Sequence, residues 1–297
     1  MTGAINLWDP THVTFTVDLL TAFLLGVVHG ITPDEHTWPI TFSYAVGGYS
    51  TRRGLRAGLT FSLAFAVQRA LASELAYLGL THWLTFEPLE EIVDIAVGAV
   101  MIAAGLFVMG RGTLPHLHLM HPPQHNAARP EPREPKAWMP AVHGFVAGWG
   151  FGAFAAIIYA VLAPAMPSAA TGWLPGFMFG IGTLCVQAAA GAAFGGWLAR
   201  RGLPQEAIRR IGLVTASRTL LWGGGAFVVL GVLSVLFPQL GNIAITTPLR
   251  VHNLHTLGLP FLVLLFTVIG VGATTLVTCT RAWQRQMRVE SPLRLLP

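Results

Sequence analysis

Residues 13–48 read VTFTVDLLTAFLLGVVHGITPDEHTWPITFSYAVGG. The run 13–31 is apolar and long enough, at about 1.5 Å per residue, to cross most of a hydrocarbon core about 30 Å thick. It then meets HGITPDEH at 29–36, where Pro33 removes a backbone donor and obstructs the helix. The apolar stretch that follows, TWPITFSYAVGG at 37–48, is too short to span alone. The segment therefore reads as one broken span, or a span plus a half-helix, interrupted within 30–37.

Six more apolar stretches follow, at about 57–80, 92–110, 138–164, 173–199, 218–237 and 259–280. Of the 297 residues, 53% are apolar and only 10% charged, with a mean hydropathy of +0.60. Soluble chains carry about 25% charged residues, because their surface must hold water. A disordered protein, a disulfide scaffold and a soluble enzyme are thereby excluded. The expected fold is all-α, a polytopic membrane protein of about seven transmembrane helices plus a short half-helix.

A net charge of +5 does not indicate nucleic acid, because the basic residues lie in short loops rather than in a stripe. Counting Lys and Arg by alternate loops places 16 on one side and only Arg250 on the other. That division requires segment 13–48 to make one net crossing. By the positive-inside rule the N-terminus is outside and the C-terminus cytoplasmic, in a cell (inner) membrane. The opening MTGAINLWDPTH lacks a basic leader, so the first apolar run is expected to remain as a helix. Cys185 and Cys279 lie far apart in apolar runs and read as small buried residues.

Residues 111–137, RGTLPHLHLMHPPQHNAARPEPREPKA, are rich in Pro, His and charge. They divide the chain into a first half (1–110), a cytoplasmic loop (111–137) and a second half (138–297). Each half opens with a similar phrase, LLGVVHG at 24–30 and MPAVHG at 139–144. Inverted three-helix repeats with interrupted helices are common in transporters. So short an echo is compatible with such a repeat without requiring it.

Ionisable residues inside a membrane are costly and therefore mark function. The densest group is HGITPDEH, which offers His29, Asp34, Glu35 and His36 at the interruption. Two imidazoles and a carboxylate suit Ni, Co or Zn. His143, before the glycine-rich GFVAGWGFGAF, echoes His29 and is a further candidate ligand. Thr183 and Gln187 read as helix-packing groups. Arg69 and Glu74 lie deep in the second stretch, about 140° apart around the helix, so each needs a partner elsewhere. Asp18 and Asp34 are the acids available to Arg69, and Glu74 is a candidate for proton coupling. His116, His118, His121 and His125 form a tract suited to accessory metal capture. His252 and His255, with His12 on the same side, form a weaker outside pair.

HGITPDEH and the histidine tract together resemble the NicO-type nickel/cobalt transporter family of the LysE-like superfamily. That family's first-helix motif is His-x-x-x-x-Asp-His; here the second His falls one residue later. The resemblance implies His29, Asp34 and His36 as ligands of a transported divalent cation, with no organic cofactor and no enzymatic activity. It also implies a bilayer protein that acts as a homo-oligomer or with a partner membrane subunit. Two other classes fit the same composition. One is a His-box membrane metalloenzyme; the other is a proton-coupled transporter of a small anion or organic acid, using Arg69.

Overall fold

The computed structural model describes residues 15–32, 36–81, 84, 89–110, 132–150, 152–200, 202–246 and 256–293. In chain order it forms α1 (Phe15–Ile31), α2 (Trp38–Gly47), α3 (Thr51–Tyr77), α4 (Leu89–Val108), α5 (Met139–Ala147) and α6 (Ala153–Ile157). A π-helical turn, Ile158–Leu162, continues α6. Then come α7 (Leu174–Ala199), α8 (Gln205–Leu236) and α9 (Leu259–Leu293). A short antiparallel ribbon, Ala244–Thr246 with Thr256–Gly258, precedes α9. The first helix stops at Ile31 and the second starts at Trp38, with Pro39 in its first turn, where a missing backbone donor does no harm.

Among the described residues, four helices are long and apolar enough to cross a membrane: α4, α7, α8 and the Leu262–Arg285 part of α9. The chain is an all-α, multi-pass membrane protein. Helix α3, 27 residues long, has two distinct faces. Its Leu55, Leu59, Leu63, Val67 and Leu71 recur every fourth residue and are all exposed. Its Gln68, Arg69 and Ser73 are buried instead. An apolar outer stripe over a polar inner face is the arrangement expected in lipid, where the surroundings are as apolar as leucine.

The expected stretch 138–164 is not one helix. It breaks at Gly148–Gly152, between α5 and α6, because four glycines in GFVAGWGFG give the helix little to hold it straight. Conversely, 218–237 covers only the C-terminal part of α8. Its first turns, QEAIRRIG, stay helical by burying Ala207, Ile208 and Ile211 on one side. Cys185 is exposed on α7 and Cys279 half-buried on α9, so neither is the buried core residue expected. Cys279 packs against the cluster of Val46, Leu198, Ile208 and Ile211.

Helix α3 packs along α7, α4 along α8, and α1 along α7. Glycine sets these distances. A methyl at Gly26 would overlap the Phe179 carbonyl oxygen, and one at Gly176 the Arg69 carbonyl oxygen. Small residues let backbones approach in this way where lipid supplies no hydrophobic drive. At the turn between α2 and α3, Tyr49 takes a left-handed backbone (φ 44°). Its ring lies under Arg53 at 4.7 Å, and its hydroxyl donates to Glu134.

Candidate functional site at two facing helix breaks

A helix that ends inside a membrane leaves its last carbonyls without intrahelical donors. At the end of α1, neighbours supply them. Gln187 Nε2 donates to the Gly30 oxygen at 3.2 Å, and Trp38 Nε1 donates to the same oxygen at 3.1 Å. Thr183 Oγ1 also donates, at 3.1 Å, to the Gly26 oxygen one turn earlier, inside the helix. Thr183 and Gln187 thus do what the sequence suggested, joining α7 to α1.

His29, in the last turn of α1, is buried among three rings. Its centroid lies 5.9 Å from Phe65, 6.0 Å from Phe154 and 5.2 Å from Phe179. Two of these rings also border Arg69. The guanidinium carbon lies 4.9 Å from the Phe65 centroid and 5.5 Å from that of Phe179. Nη1 donates to the Tyr159 hydroxyl at 2.9 Å. Arg69 is 5% exposed, its Nε makes no hydrogen bond, and no carboxylate among the described residues pairs with it. Of the two acids expected to serve Arg69, Asp18 does not pair with it, and Asp34 lies outside the described residues. Tyr159 stands on the π-helical turn, a local widening that re-aims side chains and recurs at functional sites.

The second break faces the first. A methyl at Gly150 would stand 3.5 Å from the His36 ring, and one at Gly148 would overlap the Gln68 amide oxygen. His36 Nε2 lies 2.7 Å from Asp94 Oδ1 on α4, and its ring packs 5.6 Å from Phe227 on α8. Both amide ends of the fully buried Gln68 lack a hydrogen-bond partner among the described residues. His143 is fully buried in α5. Its Nδ1 lies 3.1 Å from the Met139 carbonyl oxygen one turn earlier in α5 and 2.9 Å from the Tyr44 hydroxyl, and the second contact ties α5 to α2.

The predicted residues are therefore dispersed. His29 joins the aromatic cluster of α3, α6 and α7, whereas His36 turns to α4 and α8. Among the described residues no three of His, Cys, Asp and Glu gather as a metal group. Glu74 lies near the far end of α3, beside Gly172, away from Arg69. Asp34, Glu35, His12, His116, His118, His121, His125, His252 and His255 lie outside the described residues. Asp94, Tyr159 and Gln68 were missed. Asp94 opens an apolar stretch, and the cost of a carboxylate in lipid that marked Arg69 would have marked it too.

Residues 59–233, more than half of the chain, match the family model described as cytochrome C biogenesis protein transmembrane region. The chain belongs to that family. This overturns the resemblance to NicO-type nickel/cobalt transporters. That likeness rested on an eight-residue phrase and a loop tract, both local, and the phrase lies outside the matched residues. The match to the biogenesis family instead runs through α3 to α8, the helices that carry the packing. No curated protein and no solved structure matches the chain.

The geometry allows two kinds of chemistry. Arg69 offers a permanently charged planar fork that binds oxygen anions, within aromatic walls that exclude water. The His36–Asp94 pair sets an imidazole nitrogen 2.7 Å from a carboxylate oxygen, close enough to hold a proton between them.

Proposed function

We propose that the chain is a proton-coupled transporter, not an enzyme, carrying a small oxyanion or organic acid past Arg69. The observation that supports it is a buried guanidinium that no carboxylate among the described residues pairs with. Such a charge costs about 2.5–3.5 kcal/mol on insertion scales, and it is kept where it binds something. In this reading His36, in the first break, and its partner Asp94 on α4 couple the proton.

The finer architecture follows the same reading. The α1–α2 and α5–α6 segments each make one broken crossing, and α3, α4, α7, α8 and α9 make five more. With the N-terminus outside, α3 and α7 run oppositely, as do α4 and α8. The helices that pack together hold equivalent places in the two halves. That arrangement supports an inverted repeat in an inner-membrane protein, with the site where the interruptions meet.

The family description concerns cytochrome c biogenesis, in which haem attaches at Cys-x-x-Cys-His thiols that must be reduced. A thiol relay within this chain would need two cysteines with Cα atoms within about 7 Å. Cys185 lies roughly 20 Å along α7 from Leu198, whose cluster holds Cys279. This spacing favours transport over thiol exchange.

The test is Arg69→Met. Replacing a buried lone charge by an apolar chain of similar size is neutral or stabilising, so melting temperature should hold or rise. Inorganic phosphate, sulfate or simple carboxylates should include at least one that stabilises the native protein, and none should stabilise the variant. Unfolding of Arg69→Met would make Arg69 a structural cation, and unchanged anion stabilisation would remove it from the site.

A divalent-cation reading keeps one observation in its favour. His36 and Asp94 place a nitrogen and an oxygen ligand side by side, next in sequence to Asp34 and Glu35. Nickel, cobalt or zinc retained by the purified protein, and lost in Asp94→Asn, would put that reading first.

A further inference from the structure

Two cavities flank the start of α5 and share one residue, Lys136. The first, about 280 Å³, is lined by Arg53, Arg56, Thr60, Glu134 and Lys136. The second, about 240 Å³, is apolar, lined by Val100, Ala103, Phe107, Trp138 and Val142 between α4 and α5. We propose that together they bind one anionic phospholipid, its phosphate among Arg53, Arg56 and Lys136 and an acyl chain along the apolar groove.

The charges carry the first part. Glu134 is the one carboxylate in the polar cavity's lining, and it is engaged by Tyr49, Arg53 at 3.1 Å and Arg209 at 3.8 Å. Arg56 and Lys136 pair with no carboxylate among the described residues. The Lys136 ammonium instead stands 5.2 Å from the Phe107 centroid, at the junction of the two cavities. Basic pockets between helices at the cytoplasmic face hold lipid phosphates.

The groove carries the second part. A soluble phosphate would need the polar cavity alone, whereas this one opens onto apolar walls. Trp138 is 56% exposed at the helix start, the depth at which tryptophan marks the membrane interface. Val142 and Phe145 are exposed further along α5. A molecule with a charged head and a hydrocarbon tail matches both cavities. The inference does not depend on Arg69, which lies deeper on α3.

Native mass spectrometry of the purified protein, with phosphatidylglycerol or phosphatidylcholine added, tests it. Phosphatidylglycerol should be retained preferentially. The double variant Arg56→Gln/Lys136→Gln should weaken retention about thirtyfold, as two interfacial cations lost imply. Val142→Trp, which fills the groove but keeps every charge, should also weaken it, and Arg69→Met should not. Equal retention of the two lipids overturns the proposal without any variant. Displacement of the lipid by millimolar inorganic phosphate, with Val142→Trp inert, overturns it in favour of a soluble-anion site.

Discussion

Arg69 and Glu134 show how differently a charge is held inside and outside the membrane. Arg69 is kept by rings and one phenol, and its charge stays available to a ligand. Glu134 is saturated. The Tyr49 hydrogen bond, and then Arg53 and Arg209, hold its carboxyl below the usual glutamate range, against the opposing effect of burial. Because the folded value is depressed, this contact is complete above the ordinary glutamate pKa of about 4.3 and fails as the pH falls through the lower folded value. Hydrogen exchange of residues 132–138, corrected for the intrinsic pH dependence of amide exchange, should accelerate in the native protein as the pH falls below about 4.3 and through the lower folded value. In Glu134→Gln it should be fast throughout and independent of that titration. Glu134 is half-exposed, so the effect should be confined to the local segment and leave the melting temperature near its native value.

Helices here are positioned by what they lack as much as by what they carry. Gly26 on α1 meets the Phe179 backbone on α7, and this contact sets the depth at which His29 enters the aromatic cluster. Gly26→Ala should cost about 1–3 kcal/mol, as overpacking does, and lower the thermal midpoint. Gly225 on α8 has open space where a methyl would go, so Gly225→Ala should change that midpoint little. A melting curve in detergent for both variants checks the pair. Equal effects would mean that the α1–α7 contact does not set the packing. The breaks follow the same logic. The α1 break is tolerated because Gln187 and Trp38 take its free carbonyl.

For the whole molecule, the loop charges and the helix order predict one topology. In a variant without Cys185 and Cys279, Ile245→Cys should react with a membrane-impermeant maleimide from outside. Ala137→Cys should react only after the cytoplasmic face is opened. The reverse pattern would invert every orientation assigned to the halves. Either result leaves the packing of α3 on α7 and α4 on α8 intact, since those contacts do not depend on which side is which.

The sequence by itself determined the membrane class, the interruption after Ile31 and the separation of basic from uncharged loops. Each follows from hydropathy, Pro33 or charge, which act locally along the chain. It also marked His29, His36 and Arg69 as costly residues that must turn inward. It could not say toward what. The eight-residue phrase suggested that His29 and His36 share a ligand, yet one packs against α3, α6 and α7 and the other against α4 and α8. The second break, the Asp94 partner of His36 and the Tyr159 contact to Arg69 were decided by tertiary structure. These pairings join residues 58 and 90 positions apart, and glycine-set helix contacts, not local pattern, choose which side chains meet.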